Sequence, residues 1–398
     1  MNVVVPLPRT PAETALIDGA RRPAAIEALR ARGLPTRRVE SWHYTDLKTL
    51  LRNLPADAAT PAALPPVLEG SAVLAIVDGA PRIVAAPAGV DVSALGDAGI
   101  AALSAPFGAD DAIGQINLAH VADGVRLAVA ADATLVAPVE VQFRSGRACH
   151  ARVSAAFGAA SRAVIIERQS GGGFSTAVCD LNIGDGAEIS WIVVQERDDK
   201  AVHLGQVNAT LGTNAKLNLF VVNEGGKLVR QEIHARAAGE GSEFRLRGVN
   251  LMAGGAHVDV TMTLTHEVPH TSSTAVVRNI VTGRANGAFQ GMIKVARQAQ
   301  KTDARMACNT LLLSDEGGFS AKPELEIFAD DVACGHGATV REIDRNHLFY
   351  LMARGVPERE SRGLLVKAFV AEIIEELDNE GLVEALEHRL DRWFSAHG

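Results

Sequence analysis

Large aromatic side chains are scarce in this chain of 398 residues, where phenylalanine, tryptophan and tyrosine together make up 4%. A core for so long a chain must therefore be built from alanine, valine, leucine and isoleucine, the bulk of its 47% apolar residues. Cysteine is also sparse. Cys149, Cys179, Cys308 and Cys334 lie far apart and form no CxxC, which excludes a disulfide framework and a paired-cysteine zinc site. Cys149, Cys179 and Cys308 read as small core hydrophobes. No stretch approaches ~18 uninterrupted apolar residues, so no membrane span is expected. The apolar segment Met1–Pro8 lacks a basic n-region and is interrupted by prolines. No secretory signal is expected there, and the cysteines read as thiols of a cytoplasmic protein. Excess positive charge is lacking too: the formal net charge of -8 argues against a general nucleic-acid binder. The 37 glycines carry no G-X-Y period, which excludes collagen. There is no GxxxxGK[ST] phosphate loop, dinucleotide fingerprint, HExxH or nucleophile elbow. ATPase, dehydrogenase, zincin and α/β-hydrolase chemistry therefore have no foothold.

The length fits two or three domains, or one elongated one. Residues 1–120 read as an N-terminal helical region with a small hairpin. A helix is expected over 11–32 and stopped by Gly33. After Pro35 comes Glu40-Ser-Trp-His-Tyr-Thr-Asp-Leu47, two large aromatics in a short polar segment. It reads either as an anchoring turn with Thr45 or Asp46 capping the next helix, or as a ligand contact. A Pro/Ala connector spans Pro55 to Pro66, the hairpin turns at Gly79 within 72–88, and a helical stretch covers roughly 94–119.

From 121 to 345 the texture changes to short alternating runs such as Val125-Arg-Leu-Ala-Val129, Ala187-Glu-Ile-Ser-Trp-Ile-Val-Val194 and Gly291-Met-Ile-Lys-Val295. Turn residues separate them. A sandwich, a barrel or a solenoid fits this spacing. The length of the β-rich region, the lack of intervening helices and the small side chains favour a solenoid. Asn182-Ile-Gly-Asp-Gly-Ala-Glu-Ile189 reads as one rung, with glycines at left-handed corners. Residues 346–398 form a C-terminal helical domain. Leu365, Phe369, Ile373 and Leu377, then Leu382, Leu386, Leu390 and Phe394, recur at helical spacing. Such a pair must pack on the β core or on a partner. Its acidic residues suit either a basic surface or solvent.

Asp331-Val-Ala-Cys-Gly-His-Gly-Ala-Thr339 carries the most chemistry. In an extended segment Cys334 and His336 point to one face. Gly335 and Gly337 leave room for a ligand or another backbone to approach. Thiolate and imidazole suit iron or zinc, but two ligands do not complete a site. A partner could supply the others, or both residues could be structural.

Arg278-Asn-Ile-Val-Thr-Gly-Arg284, Gly287-Ala-Phe-Gln-Gly291, Asn309-Thr-Leu-Leu-Leu-Ser314, Lys322-Pro-Glu-Leu-Glu326, Cys334-Gly-His-Gly-Ala-Thr339 and Phe349-Tyr-Leu-Met-Ala-Arg-Gly355 occur in this order. Together with the Leu34 to Asp46 segment they resemble the SufB/SufD family of iron–sulfur cluster assembly proteins, in its SufD form. The resemblance covers almost the whole chain. It implies a mainly β fold, a right-handed parallel β-helix (a β-solenoid) flanked by N- and C-terminal helical regions. It implies a SufB-like partner on the β-helix and a SufC-like ABC ATPase on the C-terminal helices, with a homodimer possible for the isolated chain. It further implies a non-catalytic scaffold, cytoplasmic, with His336 as a ligand of iron or the nascent cluster at the partner interface and Cys334 beside it. No cofactor would be held permanently by this chain alone. Arg341 departs from the family pattern, which often has glycine at that place. Two other readings of a β-helix stand beside this one: a polysaccharide-active enzyme with opposed carboxylates in a groove, and an interaction-only protein.

Overall fold

The computed structural model describes residues 8–83, 86–105 and 107–397. Of the segment read for a secretory signal, only Pro8 lies within them. Two mainly parallel sheets of ten and nine strands face one another. Consecutive strands from Val125–Val129 to Ala333–Glu342 alternate between the sheets, and each pairs in parallel with the strand two before or after it. Val202 stands beside Leu228, and Leu228 beside His257. The chain is a β-solenoid of about eight turns, flattened to two sheets, with helices at both ends.

The expected hairpin forms, with Ala72–Val77 antiparallel to Ala80–Arg82 across Asp78 and Gly79. It is not separate from the β-solenoid. Its first strand pairs in parallel with Val139–Ser145, and Val90–Ala94 closes the other sheet against Val125–Val129. The helix expected over 11–32 is broken. Pro11–Asp18 ends at Gly19, a 3-10 turn covers Pro23–Ile26, and Glu27–Arg32 ends at Gly33 with φ 76°. Pro23 has no N–H to continue the ladder and biases Arg22 away from helical geometry. The stretch 94–119 likewise divides into Gly96–Ala101 and Ala112–His120.

Side chains facing inward fill the space between the sheets in columns. One column runs Ile165, Trp191, Leu219, Leu246, Ala275, Met306. All are buried. Beside it runs a polar column. Asn223 Nδ2 donates to Asn250 Oδ1 at 2.7 Å, Asn250 Nδ2 to Asn279 Oδ1 at 2.7 Å, and Asn279 Nδ2 to Thr310 Oγ1 at 3.1 Å. Such stacked amides satisfy one another where water is excluded.

The corners repeat as well. Asp132, Ala160, Gly186, Asn214, Gly241, His270 and Lys301 all have positive φ. Gly186 takes its left-handed corner as expected and Gly241 takes another, while the other five of these seven are not glycine. Backbone hydrogen bonds from one corner to the next, such as Ala160 N to Asp185 O and Gly186 N to Thr213 O (2.8 Å each), hold the rest.

Both outer faces are covered. Leu16, Ile17, Trp42 and Ile113 of the N-terminal region pack on Phe174, Val178, Val202 and Leu228 of the nine-stranded sheet. The helices Glu358–Ile374 and Glu380–His397 lay Val366, Val370, Ile373, Leu386 and Trp393 on Ile192, Phe220, Val249 and Ile280 of the ten-stranded sheet. This double cover explains unbroken apolar runs such as Ile192-Val-Val194.

Candidate functional site

The β-solenoid ends on an open coil. Ala333–Glu342 is the edge strand of the ten-stranded sheet, and Gly318–Ile327 the edge of the other. Among the described residues no strand pairs with the outer side of either. Ala304, Met306 and Cys308 of the preceding rung face the core, and beside them stand Cys334, His336 and Ala338. His336 therefore continues the column that runs through Ile165 and Met306, with no further rung above it. Cys334 is half-buried and packs against the core, whereas His336 is exposed.

The two side chains share a face about 7 Å apart along the strand. A Cβ at Gly335 or Gly337 would meet nothing within 4 Å, so this strand leaves its outer space to an approaching group. Partial burial pushes the Cys334 thiol up, a nearby Asp303 charge adds to this, and a backbone hydrogen bond at Ala304 opposes it. Thiolate ligation there needs a metal to displace the proton. Among the described residues no three His, Cys, Asp or Glu side chains gather as a metal site.

Around this end lie exposed apolar residues. Phe328 is 66% exposed and Phe349 72%, with Ile327, Val340, Tyr350 and Met352 also exposed. A second concave surface, about 1010 Å³, lies between the helix Glu358–Ile374 and the β-solenoid. It is lined by Leu313, Ile343, Leu364 and Phe394 together with Glu358 and Arg362.

The other cysteines are buried. Burial raises the Cys149 thiol, drives Cys179 well above its usual range, and pushes Cys308 up to about 12. Cys179 lies inside the β-solenoid, where its Sγ is 3.3 Å from the Glu167 carboxylate. Trp191 Nε1 also donates to Glu167, at 2.9 Å, and burial raises the carboxyl's pKa. His266 is buried between Thr271 and Ser273, at 2.7 and 3.0 Å, and does not meet His270 as a ligand pair.

The Glu40 to Leu47 segment is an anchoring turn. Trp42 is buried, and the Arg230 guanidinium lies 3.9 Å from its ring centroid. Arg230 is ion-paired to Asp259 and Glu232 and donates to Ser41 O at 2.6 Å. Thr45 donates to Asp259, Asp46 caps the helix Leu47–Leu50, and Lys322 pairs with Glu40. Sequence reasoning missed Arg230 and the asparagine column. Asparagines recurring near every thirtieth position, 223, 250 and 279, were the signal for the latter.

A groove of about 820 Å³ runs along the nine-stranded sheet, lined by Phe107, Arg152, Asn208, His234, Arg236 and Thr263 among others. The one carboxylate lining it, Asp180, is bound to Arg152 Nη2 at 2.6 Å. The opposed carboxylates that glycoside hydrolysis needs are not found in this groove.

The family profile described as "SUF system FeS cluster assembly, SufBD core domain" matches residues 141–369, most of the β-solenoid together with its open end. The chain belongs to the SufBD family. The iron-sulfur cluster assembly protein SufD of Escherichia coli is 30% identical over 217 residues, 54% of this chain and 51% of that protein. An iron-sulfur cluster assembly SufBD family protein of Synechocystis is 29% identical over 204 residues, 51% of this chain and 45% of the relative. One from Mycobacterium tuberculosis is 29% identical over 240 residues, 57% and 60% of the two chains. The chain thus spans about half the length of the curated SufBD relatives it matches. No described helix is long and apolar enough to cross a membrane.

Proposed function

We propose that the chain is a non-catalytic scaffold subunit of a cytoplasmic iron–sulfur cluster assembly complex, completed by a second β-solenoid at its open end. The carrying observation is the last coil. Its two strand edges are unpaired, apolar side chains surround it, and His336 and Cys334 end columns that a further rung would continue. Exposed strand edges recruit strands. A SufB-type paralogue in that place would supply the remaining ligands. The iron or nascent cluster, as cargo, would take an imidazole nitrogen of His336, with the Cys334 thiolate as a second ligand. The groove beside the helix Glu358–Ile374 joins apolar side chains to charges of both signs, which suits a SufC-type ATPase as the second partner. ATP-driven movement of that partner would pull on helices packed against the sheet that carries His336.

The test is anaerobic co-purification with SufB- and SufC-type partners, followed by iron and sulfide analysis and transfer to an apo-acceptor. The His336→Ala complex is expected to assemble but to hold at least tenfold less iron. Undiminished iron and transfer in that variant would overturn the ligand role and leave an interaction-only subunit. Failure to co-purify would overturn the scaffold role itself.

A further inference from the structure

The N-terminal region leaves part of the nine-stranded sheet's outer face uncovered. That part is the floor of the groove of about 820 Å³, and the segment after the helix Gly96–Ala101 walls one side with Leu103, Ser104 and Phe107. Two outward-facing columns make the floor. One is Ser154, Asp180, Asn208, His234, Thr263, and the other is Ala156, Asn182, Thr210, Arg236, Thr265. Between them Ala155, Leu181, Ala209, Ala235 and Leu264 turn inward to the core. Neighbouring rungs are about 4.8 Å apart and the two columns about 7 Å apart, so polar groups tile the floor in two directions.

The charges of this floor are already matched. Arg152 meets Asp180 at 2.6 Å, and Arg236 holds Glu267 through two bonds of 2.7 and 3.0 Å. The hydroxyls and amides are not matched. Ser154, Asn182, Thr210, Thr263 and Thr265 make no side-chain hydrogen bond to another described residue, and Asn182 is exposed. Two further polar atoms, Asn208 Oδ1 and His234 Nδ1, are buried without a partner. Phe107 stacks on His234 with ring centroids 3.8 Å apart and offers it no hydrogen bond. Buried polar groups are rarely left so.

We propose that this groove binds a neutral oligosaccharide of pyranose rings. A sugar hydroxyl both donates and accepts, so it satisfies Asn208 Oδ1, either tautomer of His234 and the rows of threonine. The apolar C–H face of a ring packs on Phe107, which is 41% exposed. A groove of this volume takes a ligand of a few rings. A peptide strand finds no free edge here, because the floor strands Cys149–Phe157 to His257–His266 each pair on both sides. Without opposed carboxylates the groove binds rather than cleaves. The site lies on the sheet that does not carry His336 and is independent of the assembly role.

Maltohexaose and cellohexaose, neutral glucans of opposite linkage, are the probes. Saturation of the full chain's protons should transfer to the ring protons of at least one of them at millimolar sugar. Phe107→Ala and Asn182→Ala, both at exposed positions, should each weaken binding by about tenfold, with melting curves matching the native chain. Absence of transfer to either glucan from the native chain would overturn the site. Binding unchanged in both variants would also overturn it, because the sugar would then lie elsewhere. So would binding that weakens as salt rises, because charge rather than hydroxyl groups would then be recognised. The native-chain transfer and its salt dependence decide the matter even where a variant does not fold.

Discussion

His150 sits where the N-terminal helices meet the nine-stranded sheet. Its ring stacks on His120 at 4.7 Å, meets Phe174 edge-on, and accepts from or donates to Thr176 Oγ1 at 2.9 Å. Burial first, then the charges of His120 and Arg21, lower its pKa to about 3. Between pH 6.5 and about 3 the unfolded chain holds a proton on this ring that the folded chain does not. Stability therefore falls as pH falls through that window, by up to about 1.4 kcal/mol per pH unit from this group. His150→Gln should flatten the pH dependence of the urea midpoint between pH 7 and 5. Equal slopes for the two proteins would show that the ring does not titrate this way. At this scale the sequence announced Cys334 and His336, because their spacing and flanking glycines are local facts. It did not announce His150 or Arg230, whose roles come from neighbours on other rungs and in the N-terminal region.

Among the elements, the asparagine column and the last strand make opposite demands. Asn250 both donates and accepts within the column. Asn250→Ala should strand the Asn223 amide and the Asn279 carbonyl in a dry interior, at a cost of about 2–3 kcal/mol. Chemical denaturation measures this directly, and a loss under 1 kcal/mol would mean that the column rearranges. The strand Ala333–Glu342 has no such inner constraint on its outer edge. Val340, 44% exposed there, continues the column of Thr310. Val340→Lys should abolish co-elution with a SufB-type partner while changing the stability of the isolated chain by no more than about 0.5 kcal/mol. Unimpaired co-elution would place the interface elsewhere.

For the whole molecule, the β-solenoid holds the C-terminal helices by ion pairs as well as by apolar contact, with the pairs at Arg389 buried. Arg389 of the last helix reaches Glu196 and Glu224 on the ten-stranded sheet, while Arg247 and Arg278 of that sheet meet Glu376 and Glu372 of the helix region. The acidic residues of the helices thus divide between the β-solenoid's own arginines and solvent. Removing one partner of a buried pair is costly because the other is left charged. Arg389→Met should lower stability by about 3–5 kcal/mol and speed hydrogen exchange in Glu380–His397 before the β-solenoid exchanges. Uniform exchange of both would show that the helices and the β-solenoid unfold as one unit.

The sequence by itself determined the β-solenoid and the C-terminal helices, since period-two alternation and 3.6-residue spacing are written in neighbouring residues. The order of its motifs also carried the family. The tertiary structure decided which columns the side chains join, because a coil of about thirty residues sets partners that no local pattern encodes. It made the Trp42 segment an anchor through Arg230 and placed Asp132, Ala160, Asn214, His270 and Lys301 in left-handed conformations that sequence reasoning had kept for glycine. It also set His336 at the end of an interior column. There the stack of rungs stops with its hydrogen-bonding edges unpaired, and that is a property of the coil count rather than of the motif.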